Sequence, residues 1–381
     1  MKILHTSDWH AGRRWRGKDR LDELRKVLDH MADFAARERV DLVLITGDVF
    51  DNGAPPPAAE KAVFQFLRRI HDAGAHTVII AGNHDAPQRL EAWRSLAELG
   101  DVRVVGRPSG ERNGGRVIID RPNGQRAVIA AVPFASAAEY VSAEEQAKEP
   151  GQARQSYAAG LGRLVHHLAE GFRADTVNLV MAHTHVDGAI ISGSERRVHV
   201  GEQWAVTAQS AWPASAHYIA LGHLHKPQQI ASQVPAFYAG SPMQLDFGEL
   251  NDEKRFVYIE ADPRRPAVIE SVPTVGAKRL AHLEGDLASI EAQASAFQDA
   301  WVRVRVHLDA PDATALARIR ACLPLVVAIQ TVFPERVAEA PVASTLGGPA
   351  ERFRAYLATQ TVSQPGVLEA FERILEECSR E

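Results

Sequence analysis

The chain has 381 residues, and 43 Lys+Arg against 48 Asp+Glu give a formal net charge of −5. That length predicts two domains or more, and 45% hydrophobic with 24% charged residues excludes a disordered or collagen-like chain. Taken alone, the mildly acidic balance argues against a strongly basic nucleic-acid-binding module.

Residues 2–6 form an apolar run that ends in Asp8 and His10, and residues 21–39 follow with helical spacing (Leu21, Leu24, Val27, Leu28, Met31, Phe34). Residues 41–46 are again apolar and end in Gly47-Asp48. The helical pattern of residues 58–73 (Val63, Phe66, Leu67, Ile70) leads to a third run, 76–81, ending in Gly82, Asn83, His84 and Asp85. Short β-rich apolar runs read as strands buried on both faces. Their alternation with helices predicts a βαβ sheet covered by helices, an α/β fold. Residues 103–126, with six cations and two anions, read as a solvated loop, and 126–132 as a strand. The polar stretch 142–156 reads as a loop or short helix.

Two more buried runs follow. Residues 177–182 end in His183, and 217–221 end in Gly222, His223, Leu224 and His225. Strands at 236–239 and 255–260 complete a two-sheet domain, and the Pro/Arg cluster at 261–266 predicts its end near residue 265. Residues 301–307 alternate strictly, as a half-exposed strand does. A helix at 312–322, a strand at 326–332 and amphipathic helices at 349–360 and 366–378 follow. The predicted division is therefore 1–265, 275–335 and 340–381.

Cys322 and Cys378 form no C-x-x-C pair, which argues against a disulfide framework and a thiolate metal site. The N-terminus lacks a basic and apolar leader, and no apolar run reaches the roughly 18 residues of a membrane span. The expected compartment is the cytoplasm, with no membrane contact.

Asp, His and Asn thus collect just after buried strands, where open α/β sheets place their ligands. Taken singly, an Asp ahead of a helix is an N-cap, and an Asn after Gly is a turn residue. One metal centre accounts for all seven of Asp8, His10, Asp48, Asn83, His183, His223 and His225. Their oxygen and imidazole donors suit manganese, magnesium, iron or zinc. Seven donors are too many for one ion and suit two sharing a carboxylate. Two ions about 3.5–4 Å apart can polarise a phosphoryl group and lower the pKa of a water for in-line attack.

In order, Asp8-x-His10, Gly47-Asp48-x-x-Asp51, Gly82-Asn83-His84-Asp85, His183 and Gly222-His223-x-His225 resemble the motifs of the calcineurin-like metallophosphoesterases. Residues 5–10, 47–56, 218–225, Ser194-Glu195-Arg196, Tyr238 to Pro242 and Phe247-Gly248-Glu249 narrow the resemblance to SbcD-type nuclease subunits of bacterial SbcCD complexes. These are the bacterial counterparts of the Mre/Rad double-strand-break nucleases. The resemblance implies a two-sheet metallophosphoesterase sandwich flanked by helices, with a small α+β capping domain and C-terminal helices.

It also implies two divalent ions, usually manganese. Asp8, His10, Asp48 and His225 would hold one, and Asp48, Asn83, His183 and His223 the second. His84 would face the scissile phosphate, oriented by Asp51. His185 lies outside the family pattern, and His5 reads as a strand residue beneath the site.

The activity implied is exonuclease action on double-stranded ends and endonuclease action on hairpins. The partners implied are an SbcC-type coiled-coil ATPase docked on the C-terminal helices and a second copy of the chain.

DNA contacts are expected in the basic stretch after His10. There Arg13, Arg14, Arg16 and Lys18 would grip phosphates and Trp15 would pack on a sugar or base. The alternative for that stretch is an exposed start of a helix with Arg20 paired to Glu23. A metallophosphoesterase for small phosphodiesters or phosphoproteins is the alternative function, and a non-catalytic scaffold the third. From residue 335 onward, eight Glu face five Arg. The net charge therefore averages a basic loop with an acidic tail and does not bear on DNA.

Overall fold

The computed structural model describes residues 1–93, 101–136, 150–192, 205–207, 211–334, 348–358 and 366–378. Its first sheet is built from β1 (Lys2–Thr6), β4 (Leu42–Thr46), β5 (His76–Ile80), β6 (Val102–Val105), β15 (Arg255–Asp262) and β16 (Arg265–Pro273). Their order is β16-β15-β1-β4-β5-β6. The strands from β1 to β6 run parallel, while β15 pairs antiparallel with β1, setting Lys2 opposite Glu260.

The second sheet contains β7 (Arg116–Asp120), β8 (Arg126–Val132), β9 (Val177–His183), β12 (Tyr218–Gly222), β13 (Gln228–Ile230) and β14 (Ala236–Tyr238), in the order β13-β14-β12-β9-β8-β7. Its four central strands are parallel, and the register sets Gly222 opposite His183.

The two sheets face each other. Ile3, Leu42, Leu44, Val78 and Ile80 from the first pack with Ile129, Ala131, Leu179, Met181 and Ala220 from the second. The alternate residues point outward into two further cores. Leu4, Val43, Ile45 and Ile79 meet helices α1 (Leu21–Glu38) and α2 (Pro57–Asp72). Ala130, Val180, Ala182 and Leu221 meet Tyr157, Leu161, Val165 and Leu168 of α4 (Pro150–Ala169). Because both faces of each central strand are covered, apolar residues occupy most positions of these strands. Each fully buried Leu or Ile contributes about 1.5–3 kcal/mol of transfer free energy.

Several elements differ from the sequence expectations. Residues 103–126 are not one solvated loop: between exposed connections they contain most of β6 and all of β7, and Arg116 donates to the carbonyls of Leu168 and His167 at 2.6 and 3.0 Å. Ion pairs with Glu111, Asp41 and Asp120 absorb three of the charges that suggested solvent. The Pro/Arg cluster at 261–266 does not end the sheet; it spans the β15–β16 hairpin, and β16 carries the sheet on to Pro273. Of the polar stretch 142–156, residues 142–149 lie outside the described residues and the rest opens α4. The short α3 (Pro87–Ala92) follows the third motif.

A three-stranded sheet of β17 (Arg279–Asp286), β18 (Ala300–His307) and β19 (Val326–Val332), with α5 (Leu287–Gln293) and α6 (Ala313–Cys322), follows the sandwich. The small pairs β2/β3 (Arg14–Trp15, Lys18–Asp19) and β10/β11 (His185–Val186, Ala205–Val206) complete the strands among the described residues.

The chain divides into a unit of Met1–Val306 with Asp312–Thr331 and a unit of His307–Pro311 with Val332–Glu381. In the second unit, α7 (Pro349–Ala358) and α8 (Val367–Cys378) pack through Phe353 and Phe371, whose rings stack at 4.1 Å, and through Arg354–Glu372 at 2.8 Å. Tyr356 and Ile374 of these helices stay more than half exposed. No helix among the described residues is long and apolar enough to cross a membrane.

Candidate metal centre

Parallel pairing places the ends of β1, β4 and β5 side by side, so their motifs emerge together. The loops after β1 and β4 are then joined by backbone bonds: Asp8 N donates to Gly47 O, His10 N to Asp48 O and Ala11 N to Val49 O, at 2.9–3.0 Å. Asp8, His10, Asp48 and His223 all have positive φ (52, 45, 49 and 104°). Non-glycine residues in that region are uncommon and costly, and they collect at functional sites. Gly82 has no alternative, because a Cβ there would overlap the Asp48 backbone and carboxylate.

The seven sequence-predicted donors converge at this end of the sandwich. His10 Nε2 and His225 Nε2 lie 3.1 Å apart. Asp48 Oδ2 stands 3.6 Å from both His10 Nε2 and His183 Nε2. Asn83 Oδ1 lies 3.0 Å from His183 Nε2 and 3.0 Å from His223 Nδ1. Both Asp8 oxygens accept from His223 N, at 3.1 and 3.2 Å. Asp8, His10 and His225, and likewise Asp8, Asp48 and His183, bring their candidate donor atoms within 4.8 Å of one another.

The donor set tests whether cations belong here. His183 Nδ1 donates to Thr46 O at 2.7 Å, which leaves Nε2 as an acceptor. It faces another acceptor, Asn83 Oδ1. His225 Nδ1 donates to Glu249 Oε1 at 3.1 Å, so its Nε2 lone pair is turned toward His10. The buried His10 Nδ1 faces the Asp51 carboxylate at 3.6 Å, so its Nε2 is also turned inward. Lone pairs converging in pairs on a buried carboxylate are stabilised by cations, and outer nitrogens turned to carbonyls and carboxylates are how metal-bound histidines are oriented. The residues fit divalent ions.

Electrostatics agree. Burial penalises the Asp48 carboxylate, but His183, His10 and His84 outweigh it and hold its pKa below the usual range. Burial lowers His183 and His223 and takes His10 down to about 4. A metal ligand must present a free lone pair, and burial favours the neutral form that would offer one.

A stability prediction follows for the metal-free protein. Burial also takes His5, bonded to Tyr218 and Thr46, from 6.5 to about 3. Between about pH 6.5 and pH 4 the unfolded chain binds protons that folded His5 and His10 refuse, and His183 and His223 are lowered in the same direction. Stability therefore rises with pH across that interval and is lost on acidification. Asp85, raised to about 7 by burial and the Asp48 charge against three backbone donors, acts in the opposite sense. Four lowered histidines outweigh one raised acid, so the urea midpoint of the metal-free protein should fall steadily from pH 6.5 to pH 4. A flat profile would contradict neutral burial of the cluster.

Some expected roles take a different form. Asp51 meets His84 through its backbone carbonyl, which accepts from Nδ1 at 2.8 Å, while its carboxylate faces His10. Asp85 accepts from Gly82 N, Phe50 N and Val49 N and ties the second and third motif loops together. His5 lies beneath the site, fully buried.

The basic stretch is a two-residue hairpin, β2/β3, whose turn Arg16-Gly17 has φ of 49 and 76°, positive at both positions as tight hairpins favour. Arg14, Arg16 and Lys18 are exposed and Arg13 is half-buried. Trp15 is not available to stack on a base. Its ring is 4% exposed, packs on Phe247 and Trp301, and donates to Asp246 at 3.1 Å. An indole flanked by apolar residues gains more from this packing than from exposure. Arg20 does pair with Glu23, but in a buried site and not on an open helix.

The residue whose role sequence reasoning missed is Glu249. It is fully buried, accepts from His225, and receives Lys254 Nζ at 2.7 Å and Leu245 N at 3.0 Å. Its only signal was the motif Phe247-Gly248-Glu249, which carries no spacing to a ligand. Ser194, Glu195 and Arg196 lie outside the described residues.

Residues 1–227 match the family described as Calcineurin-like phosphoesterase, and residues 277–378 match the Type 5 capsule protein repressor C-terminal domain. Among curated relatives, the SbcD subunit of nuclease SbcCD from Bacillus subtilis (strain 168) is 31% identical over 344 residues, covering 88% of this chain and 87% of that protein. The protein of that name in Escherichia coli (strain K12) is 30% identical over 313 residues, covering 81% and 77%. The one in Rhodobacter capsulatus is 34% identical over 290 residues, covering 72% and 70%.

Proposed function

The chain belongs to the calcineurin-like phosphoesterases and, among them, to the SbcD-type nuclease subunits; on that premise we propose that it is a two-metal DNA nuclease working with an SbcC-type ATPase in DNA break processing. The observation that carries this reading is the Asp48 oxygen held 3.6 Å from His10 on one side and 3.6 Å from His183 on the other. That arrangement suits one carboxylate shared by two ions.

Asp8, His10, Asp48 and His225 would hold one ion, and Asp48, Asn83, His183 and His223 the other, with manganese as the proposed metal. When bound, two divalent ions polarise the phosphoryl oxygens and lower the pKa of a water for in-line displacement. The chain supplies the remainder. His84 Nδ1 donates to Asp51 O, which fixes the ring. Its Nε2 would supply the proton that the leaving 3′ oxygen takes up, the part a positioned histidine plays in general acid catalysis. Thr46 O and Glu249 hold His183 and His225 in the tautomers that point lone pairs inward.

Arg13, Arg14, Arg16 and Lys18 are the proposed phosphate contacts. Replacing Arg14, Arg16 and Lys18 together by Ala should weaken binding to all duplex sequences alike. It should also make the salt dependence shallower, by about 0.9 in log–log slope for each phosphate no longer neutralised. An unchanged slope in fluorescence anisotropy would remove the hairpin from the interface.

The proposed organisation is a nuclease domain that extends past the expected residue 265 through β16 to Pro273, a capping domain over 275–335 and a C-terminal helical part from 340 onward. The last would dock the ATPase coiled coil through Tyr356 and Ile374, which α7 and α8 leave exposed, in the manner of helix-in-groove recognition. A homodimer is proposed as the assembly.

The deciding experiment incubates purified protein with manganese and linear duplex, hairpin DNA or a small nitrophenyl phosphodiester. Cutting of both DNAs supports the proposal. Turnover of the small diester with neither DNA cut would favour the small-substrate phosphodiesterase.

A further inference from the structure

The three-residue turn Phe247–Glu249 has different neighbours at its two ends. At one end Glu249 is fully buried, and both its oxygens are engaged. Oε1 accepts from His225 Nδ1 at 3.1 Å, while Oε2 accepts from Lys254 Nζ, Leu245 N and Ser241 Oγ at 2.7, 3.0 and 3.3 Å. Lys254 Nζ also donates to His225 O at 2.8 Å. The imidazole and the backbone of His225 are thus held by one buried ion pair.

At the other end Phe247 lies 5.1 Å from the Trp15 ring, with the Arg303 guanidinium 4.7 Å and the Arg16 guanidinium 5.2 Å from its centroid. Trp15 packs on Trp301, whose indole donates to Glu23 at 2.8 Å. Leu280, Phe247, Trp15 and Trp301 form one buried cluster. Asp246 closes the turn by accepting from Gly248 N and Trp15 Nε1.

Resting on the metal assignment above, we propose that Glu249 is a positioning residue for His225, and that the Trp15–Phe247–Trp301 joint seats the Glu249 turn. The hairpin and the β18 strand thereby set how well His225 binds metal without touching the centre.

The physical basis is direct. A carboxylate on the outer nitrogen fixes the tautomer and raises the basicity of the inner one, and partners of this kind govern metal affinity. Phe247 and Glu249 are buried and only the exposed Gly248 separates them, so a turn this short has little slack to absorb displacement of one end before it reaches the other. Burial of Phe247 and the two cation–π contacts make that seat specific to an aromatic ring.

Manganese binding is measured by calorimetry on metal-stripped full-length wild type, Glu249→Gln, Phe247→Ala and Phe247→Tyr, with circular dichroism to establish folding. Cobalt is used as a second probe, since its visible spectrum reports ligand geometry. Glu249→Gln should weaken manganese binding at one site about 10–100-fold. Phe247→Ala should weaken the same site and shift the cobalt spectrum, and Phe247→Tyr should restore both.

Wild-type affinity in folded Glu249→Gln would overturn the positioning role. Wild-type affinity and spectrum in Phe247→Ala would overturn the coupling. Should Glu249→Gln not fold because Lys254 is left without its partner, the Phe247 pair decides. Absence of manganese binding by wild type would instead overturn the metal assignment itself, so the two failures are distinct.

Discussion

Asp48→Ala will cut DNA at least about a thousandfold more slowly than wild type in manganese, a loss of several kcal/mol of transition-state stabilisation. Asp48 stands 3.6 Å from a histidine of each half of the donor cluster, His10 and His183, and it also accepts from His84 N at 2.9 Å. Removing it deletes the carboxylate that two ions would share and leaves His10 and His183 without the acid between them. Asp48→Asn separates the two parts, because an amide keeps the acceptor for His84 N and loses the charge. Both variants should fail, and inductively coupled plasma analysis should find fewer than two ions per chain. Near-native cleavage by Asp48→Asn would mean that the charge between the histidines is not needed.

The second large effect separates chemistry from metal binding. His84→Ala should lower kcat by about 10²–10⁴-fold, the range for loss of a positioned proton donor, with KM for DNA and metal content close to wild type. Its ring stands 4.6 Å from the His10 ring and donates through Nδ1 to Asp51 O, so truncation leaves the metal donors in place. A DNA substrate with a 3′-bridging sulfur supplies the check. Sulfur leaves without help from a proton, so His84→Ala should recover most of its rate on that substrate. An equal deficit on both would assign His84 to binding.

The candidate site was legible in the sequence because each donor follows an apolar strand that could be recognised by itself. Parallel pairing then did what the sequence could not display, bringing residues 8, 48, 83, 183 and 223 together across two sheets. The orientation of Asp51 was not legible, since main-chain and side-chain oxygens of one residue look the same in a sequence. Trp15 misled for a related reason. A tryptophan among arginines reads as a surface platform, yet its partners Phe247 and Trp301 lie more than 230 positions away. Arg116 and its neighbours misled because their partners, the α4 carbonyls, Asp41 beside β4 and Asp120 across the β7–β8 hairpin, are not apparent when the segment is read in order. Helix α4 was largely missed because its start is polar apart from the small Ala153, and its large apolar residues begin at Tyr157.

The place of β1 has a consequence for how the chain is made. Its neighbours are β4, some 40 residues on, and β15, whose Val257 to Glu260 complete the pairing of Lys2 to His5. At about 5–20 residues per second of synthesis, one edge of the first strand waits on the order of tens of seconds for its partner. Throughout that interval an apolar strand presents open N–H and C=O groups, the template on which chains join edge to edge. Slowed elongation should therefore reduce the yield of soluble protein from this chain more than from one whose first strand pairs only locally, and chaperones that cover extended apolar segments should restore it.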